Sequence, residues 1–381
     1  MNAKHCKAMT GLFAGVLNGL ALLAAACPPA AQTSPGPIAP KPGAQIQKPP
    51  QDTIRVKVDL VGAAVVVHDA KGNLVLDLDK KDFRLSDNGV QQRIEDFEMG
   101  GAPVSLAIVI ETSSRVEALL PAMRRTGILF TQTVLGANGD ATVIGYDDEV
   151  QKLQEFTSDN DAIERAVTNL PRGTSGARLY DALSEAVGAL RNRPASRRRV
   201  IIAMAEAVDE GSEAKLGAVL REAQLDNITI YSIGLSTTGA ALRNPPRDTT
   251  APSAIPPGTF GLPSAPGTVP TPSTGDSAGA ADLGALAVWL VQHATAVVRE
   301  HPLELATIAT GGVYQSPRRD SAIEPAIDAI GSEIHAQYTL TYRPTGTDAA
   351  GYHEIKVQVD RRGVKVRSRP GYYPNAEANS N

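Results

Sequence analysis

Cysteine is nearly missing from this chain of 381 residues: only Cys6 and Cys27 occur, both close to the start. Cys6 falls inside a stretch that reads as a removable export signal, so the mature chain keeps no pair of thiols. That excludes an intramolecular disulfide and a cysteine-based zinc site. Charge of one sign is missing too. With 37 basic and 41 acidic residues the formal charge is -4, which does not mark a nucleic-acid binder. Long apolar runs are absent after the first 27 residues, so no later segment is built to span a bilayer. Catalytic signatures are absent as well. There is no GxSxG elbow, no mature-chain catalytic cysteine with a partner and no HExxH, and His68, His293, His301, His335 and His353 are scattered. The segment Gly173-Thr174-Ser175-Gly176 has hydroxyls but no nearby histidine. A secreted hydrolase is therefore a disfavoured alternative, and no enzyme is expected.

What is present divides by composition. Hydrophobic residues make up 42%, enough for a real core, while 27 prolines and 34 glycines call for long stretches outside it. Lys4 and Lys7 followed by the short apolar run 11–26 read as a signal peptide over 1–27. Its end, Leu23-Ala24-Ala25-Ala26-Cys27, resembles a bacterial lipobox with alanine where leucine is usual at position 24. Lipidation of Cys27 and ordinary cleavage nearby both remain open, and a lipid anchor would be the one membrane contact. The protein is expected to be exported: periplasmic, anchored to the outer membrane, or extracellular.

Residues 28–52 are proline-rich with little to bury and read as a disordered tether. Residues 53–100 read as a β module of two hairpins, 54–67 with 74–78 and 82–85 with 92–97, turning at 69–73 and 87–89. Strand and helix then alternate over 101–336, which calls for a mostly parallel sheet wound on both faces. A flexible insertion, rich in proline, glycine, serine and threonine, interrupts it at 237–281. β signals return over 337–374, expected to pack with the N-terminal module, and 375–381 form a disordered tail. The fold class is thus α/β, doubly wound, flanked by small β segments from both termini. The basic run Arg191, Arg193, Arg197, Arg198 and Arg199 reads as a solvated helix end ahead of an apolar strand.

The α/β part centres on 104–115, VSLAIVIETSSR. Its β-branched apolar run suits a strand buried on both faces, and Glu111-Thr112-Ser113-Ser114 follows where open α/β sheets bind ligands. Hydroxyls and carboxylates there suit a hard divalent cation. They equally suit a helix cap, as do Thr174 and Ser175 at a later helix start, while Glu206, Asp209 and Glu210 suit a solvated loop.

Several segments in order carry a resemblance: VVVHDAKGNLVLDLDKKDFRLSDNGVQQRIEDF, LAIVIETSS, RGTSGARLYDAL, RRVIIAMAE, NITIYSIGL, LATIATGGVYQ and QYTLTYRPTGTDAAGYHEIKVQVDRRGVKVRSRPGYY. Together they look like a von Willebrand factor type A (VWA) domain of the secreted, VWFA-related, acidobacterial type, over most of 54–374. The resemblance implies a Rossmann-like fold and a metal-ion-dependent adhesion site, in which an Asp-x-Ser-x-Ser loop, a threonine and an aspartate hold an ion that an acidic partner group completes. On that pattern Glu111 takes the first aspartate, Ser113 the first serine, Arg115 the second serine, Thr174 the threonine and Glu206 the second aspartate. Only Ser113 and Thr174 match in kind. Magnesium wants octahedral geometry at about 2.0 to 2.1 Å, and Glu111 and Glu206 are each one methylene too long. Arg115 places a permanent cation where a ligand should be, able to neutralise Glu111 or Glu206 without metal. The expectation is a non-enzymatic module that binds a protein partner in the envelope through a degenerate site, with no cofactor. A working magnesium site is the alternative.

Overall fold

Strand β5 (Val104–Glu111) is buried at every position, and the rest of the α/β part is arranged around it. β6 (Asp140–Tyr146) pairs with it in parallel on one side and β8 (Arg198–Ala205) on the other. β9 (Ile228–Gly234) and the short β10 (Tyr314–Gln315) extend the sheet in parallel beyond β8. β7 (Val150–Thr157) closes the other edge antiparallel to β6. The order is β10-β9-β8-β5-β6-β7. Because the chain leaves β5 for β6 and later returns to β8 on the opposite flank, the strand order reverses at β5, and the crevice at its carboxyl end is the place for a ligand.

The structure, a computed structural model, describes residues 60–235, 285, 287–293, 301–317, 322–346 and 351–374, all within the second of the chain's two units, Val56–Asn381. The expected signal, tether, insertion and tail, with Cys27, lie outside the described residues.

Both faces of the parallel sheet are covered. On one, Ala107, Val109, Ile201 and Ala203 pack under α4 (Leu179–Arg191), α5 (Leu216–Leu225) and α6 (Pro302–Thr310). On the other, Leu106, Ile108, Ile110 and Ile202 pack against α3 (Asn160–Thr168) and α7 (Ile323–His335). The helix expected straight after β5 is instead broken. Leu120–Met123 and Gly127–Leu129 alternate with tighter turns and end in a wide π turn, Phe130–Leu135. Pro121 starts a turn readily, but Gly127 gives helix little support, and Ile128 is 46% exposed.

Two antiparallel sheets flank this domain. One runs β13-β1-β11-β4, from Lys365–Ser368, Val61–His68, Tyr338–Tyr342 and Ile94–Met99; the other runs β14-β12-β2-β3, from Gly371–Tyr372, His353–Val359, Phe83–Asp87 and Val90–Gln92. Ala63, Val65, Phe83, Leu85, Tyr338, Leu340, Ile355 and Val357 from both sheets form one core. The hairpin expected between 54–67 and 74–78 does not form. After the Asp69–Asn73 turn only the isolated bridge His68 to Leu74 remains, and β1 pairs with β11 and β13 from the far end of the chain. The second expected hairpin splits: β2 and β3 pair through Asn88 and Gly89, whose φ of 47° and 79° suit a two-residue turn, while β4 crosses to β11 in the other sheet.

Of the basic run, Arg191 is exposed at the end of α4 as expected, paired with Glu222 and Asp226, but the other four arginines are not a solvated surface. Arg198 donates to the carbonyls of Gly100, Ile334 and Gln337, Arg197 to those of Val104 and Asn138, and Arg199 to those of Asp226 and Arg193. Arg193 pairs with Asp140 and lies over the Phe156 ring at 4.7 Å. These guanidiniums close the amino edge of the sheet, where carbonyls of strand ends, loops and helix ends would otherwise be left unpaired.

Candidate functional site

At the carboxyl edge four loops meet, after β5, after β6, before α4 and after β8; we refer to this edge as the crest. Their contact depends on two close approaches. A Cβ on Gly173 would stand 2.4 Å from Asp147 Oδ2, and one on Gly176 would stand 2.5 Å from Asp148 Cβ. Glycine at both positions lets the RGTSGAR loop lie against Asp147 and Asp148. The loop is then tied down by hydrogen bonds from Gly173 N–H to Thr112 O (2.9 Å), Ser114 N–H to Thr174 O (2.7 Å) and Thr174 N–H to Asp147 Oδ2 (2.8 Å).

Glu111 lies at the centre, 0% exposed. Ser113 Oγ donates to its Oε1 at 2.5 Å and the Glu206 N–H to its Oε2 at 2.7 Å. Burial pushes its carboxyl up to about 7, a rise that the Ser113 and Glu206 hydrogen bonds only partly oppose and the Glu206 charge reinforces. Desolvation penalises the charged form, and two donors do not offset it. Asp209, also partly buried, is likewise raised by burial, while Ser212 Oγ (2.6 Å) and Tyr180 N–H (3.0 Å) hold its Oδ1. Asp147 goes the other way. Its burial is outweighed by hydrogen bonds from Glu149 and Thr174, and it stays below its ordinary range.

Arg115 does not bond Glu111 or Glu206. Its guanidinium pairs with Glu210, which it holds below the usual carboxylate range, and Glu206 and Glu111 act on it only through weaker charge attraction. The loop after β8 presents Glu210 outward, where a long side chain meets it without entering the buried cluster. The helix-cap readings also give way. The first helical turn after β5 starts at Glu117 with no side-chain cap, and Ser113 is engaged with Glu111. Thr174 lies ahead of α4 rather than at its start, and α4 is capped across the chain by Asp209 and Ser212, whose oxygens accept from Tyr180 N–H and, for Ser212, Asp181 N–H. Sequence reasoning passed over Asp147, Asp209 and Ser212 as site members. A carboxylate directly after a buried strand is the signal that marks Asp147, as it marks Glu111 and Glu206; a cap supplied by another loop leaves no local signal.

Among the buried side-chain atoms without a hydrogen-bond partner, one stands beside Glu111 in the sheet. Tyr146, paired in register with Glu111 across β5 and β6, is 1% exposed, and its hydroxyl makes no hydrogen bond. Burial raises its pKa well above the ordinary value, and the charges of Glu111, Asp209 and Glu206 add to the rise. Among the described residues no group of three or more His, Cys, Asp or Glu is placed to hold a metal. A hard cation needs ionised oxygens with free lone pairs. Here both oxygens of Glu111 already accept hydrogen bonds and Arg115 holds the place of a hydroxyl ligand, so the residues as arranged do not fit magnesium.

No protein-family model matches the sequence, and no curated protein matches it. Solved structures resemble the fold. They include an aerotolerance-related membrane protein from Bacteroides fragilis, at 12% identity over 61% of this chain and 98% of that one, with a TM-score of 0.39. BatB from Bacteroides thetaiotaomicron matches at 13% over 60% and 99%, TM-score 0.35. A von Willebrand factor type A protein from Catenulispora acidiphila matches at 9% over 78% and 75%, TM-score 0.42. The structure neighbours of this chain thus include a von Willebrand factor type A protein.

Proposed function

We propose that this protein is a non-enzymatic binding module of the bacterial cell envelope, which presents the crest of a VWA-like α/β domain to a protein partner and does so without a metal ion. The observation that carries the reading is Glu111. In the position where an adhesion site needs an ionised ligand, it is buried, protonated up to about pH 7, and satisfied by Ser113 and the Glu206 amide. Arg115, where a second hydroxyl ligand would stand, is committed to Glu210. Ser113, Thr174 and Glu206 thereby serve to shape the crest, and Arg115 stands in for part of the charge a metal would bring. Export and a tether over 28–52, with or without a lipid on Cys27, would hold the crest away from the envelope surface.

The experiment is a pull-down from envelope extract with the exported chain as bait, with and without chelator, beside magnesium titration by calorimetry. Capture of the same partner under both conditions, lost when crest residues are altered, is the expected result. The parent should bind no magnesium, whereas Glu111→Asp, Arg115→Ser and Glu206→Asp combined should create a site. Tight magnesium binding by the parent would overturn the metal-free reading and favour metal-dependent adhesion.

A further inference from the structure

We propose that the cleft between β7 and α4 binds a small zwitterion, a free dipeptide with short side chains, held by its carboxylate on Arg178 and by its ammonium on Glu185. This site lies apart from the Glu111 cluster, and the proposal does not rest on the partner reading above. Two periodicities build the cleft. Val150 and Lys152, two apart on β7, share one face of the strand, and Asp181 and Glu185, four apart on α4, share one face of the helix. Arg178 stands just ahead of α4, its N–H bonded to Asp147 O at 2.8 Å. These five residues line a cavity of about 460 Å³, within the size range of small-molecule sites. It is reached from solvent: β7 is the edge of its sheet, and the four charged side chains are exposed by 18% at Asp181 to 46% at Glu185.

The chemistry of the walls selects the ligand. Val150 is the one apolar lining residue, so an apolar molecule has little to bury against. Lys152 and Arg178 balance Asp181 and Glu185, and on the adjoining segments Glu149, Glu155 and Glu213 are exposed, as is Lys215. A simple anion would therefore meet carboxylates, and a simple cation would meet Lys152 and Arg178. A ligand carrying both signs suits the walls as they stand. The groups left free place its two ends. Asp181 is already filled, accepting from Glu213 N–H at 3.0 and 3.2 Å and from Ala214 N–H at 2.8 Å, and Arg178 reaches it only at 3.5 Å. The guanidinium thus keeps most of its donors for a carboxylate, which it can grip with two parallel hydrogen bonds. Lys152 meets Glu155 Oε1 at 3.3 Å and Glu185 Oε1 at 3.1 Å, and Glu185 Oε2 stands outside that pair, open to an ammonium. Pairs this exposed are individually weak and exchange partners at little cost. From Arg178 to Glu185 the chain rises about 10 Å along a helix axis. An extended dipeptide covers roughly 7 Å of it, and the two side chains reach in from either end; a single amino acid covers half as much.

The test is calorimetric titration of the full chain with glycyl-alanine, beside N-acetyl-glycyl-alanine, glycyl-alanine amide and alanine. Saturable binding of glycyl-alanine, about tenfold or more tighter than that of the other three, is the expected result. Two variants separate the ends of the ligand. Arg178→Gln should weaken glycyl-alanine about tenfold and leave the amide as it is, because the amide has no carboxylate for the guanidinium to hold. Glu185→Gln should weaken glycyl-alanine by a similar factor and leave the N-acetyl form as it is, because that form has no ammonium. Both changes touch exposed pairs, so the melting temperatures should stay within a few degrees of the parent's. No saturable heat with glycyl-alanine, equal binding of any of the other three, or an unchanged affinity in either variant would each overturn the proposal. The pull-down outcome is independent of all of these, so the binding module stands or falls separately.

Discussion

Among the described residues two carboxylates are fully buried, and they live differently. Asp87, in the flanking β sheets, accepts hydrogen bonds from His353 Nδ1 (2.8 Å), Tyr342 Oη (2.9 Å) and Tyr372 Oη (2.9 Å), so three donors from β11, β12 and β14 converge on it. Glu111, at the crest, has two donors, and other carboxyls stand around it. Equal burial therefore does not mean equal chemistry. Asp87 is surrounded by donors that tie the two β sheets together, while Glu111 is buried where its charge is resisted. The first is what a structural carboxylate looks like, the second what a site looks like.

The sharpest way to break the contrast is at Asp87. Asp87→Ala would strand two buried hydroxyls and an imidazole, and should cost about 3 to 5 kcal/mol, read as a lowered denaturant midpoint. A change below about 1 kcal/mol would show that the network is slack. At Glu111 the comparison can be sharpened with pH. Its carboxyl is raised from 4.5 to about 7 in the folded state, so the folded protein holds a proton that the unfolded chain has released. The associated stability is complete below about pH 4.5 and is lost as pH rises through about 7, a difference on the order of 3 kcal/mol. Glu111→Gln should flatten that dependence and be the more stable form at pH 8. An unchanged slope in the variant would assign the titration to another group. Gly173→Ala, whose Cβ would meet Asp147 at 2.4 Å, should cost about 1 to 3 kcal/mol through displacement of the loop, and a neutral effect would mean the loop yields. The smallest effect is expected at Arg115. Its partner Glu210 has a side chain 57% exposed, so Arg115→Ala should change stability by no more than about 1 kcal/mol.

The parts of the fold that could be read from sequence are those in which local pattern and burial coincide. β5, β6, β8 and β9 are apolar runs because both their faces are covered, and α3 announces itself with Asp159 accepting from Ala162 N–H. The flanking sheets could not be read that way. Residues 53–100 contain strand signals, but the alternation says only which face is buried, and the partners of β1 lie more than 270 residues away, at Tyr338–Tyr342 and Lys365–Ser368. The site shows the same limit. Glu111, Ser113, Arg115 and Glu206 come to one edge because each ends or follows a strand of one sheet, while Thr174, between α3 and α4, is held there by Ser114 N–H and Asp147. Which acid Arg115 would choose depended on whether the loop after β8 turns Glu206 or Glu210 toward it, four residues apart on a loop with no period to read. The arginines at the other edge were misread for a related reason: backbone carbonyls at strand ends have no residue type, so nothing in the sequence advertises that they need a donor.

The clamp by Arg198 carries one more implication. Its guanidinium reaches the carbonyls of Gly100, Ile334 and Gln337, and the Gly100 N–H bonds Gln337 O at 3.1 Å, so the polypeptide enters and leaves the doubly wound region through a single doorway. Whatever lies between those two residues is a loop, however large, inserted into the β framework. Closing a loop costs little more as it lengthens, and the further holds of the framework through Arg367 fall on Glu333 near the end of α7 and on the Gly311 carbonyl ahead of β10, not on the loops of the crest. The crest can therefore be redesigned, enlarged or exchanged for another cargo while the pairing of β4 with β11 stays as it is.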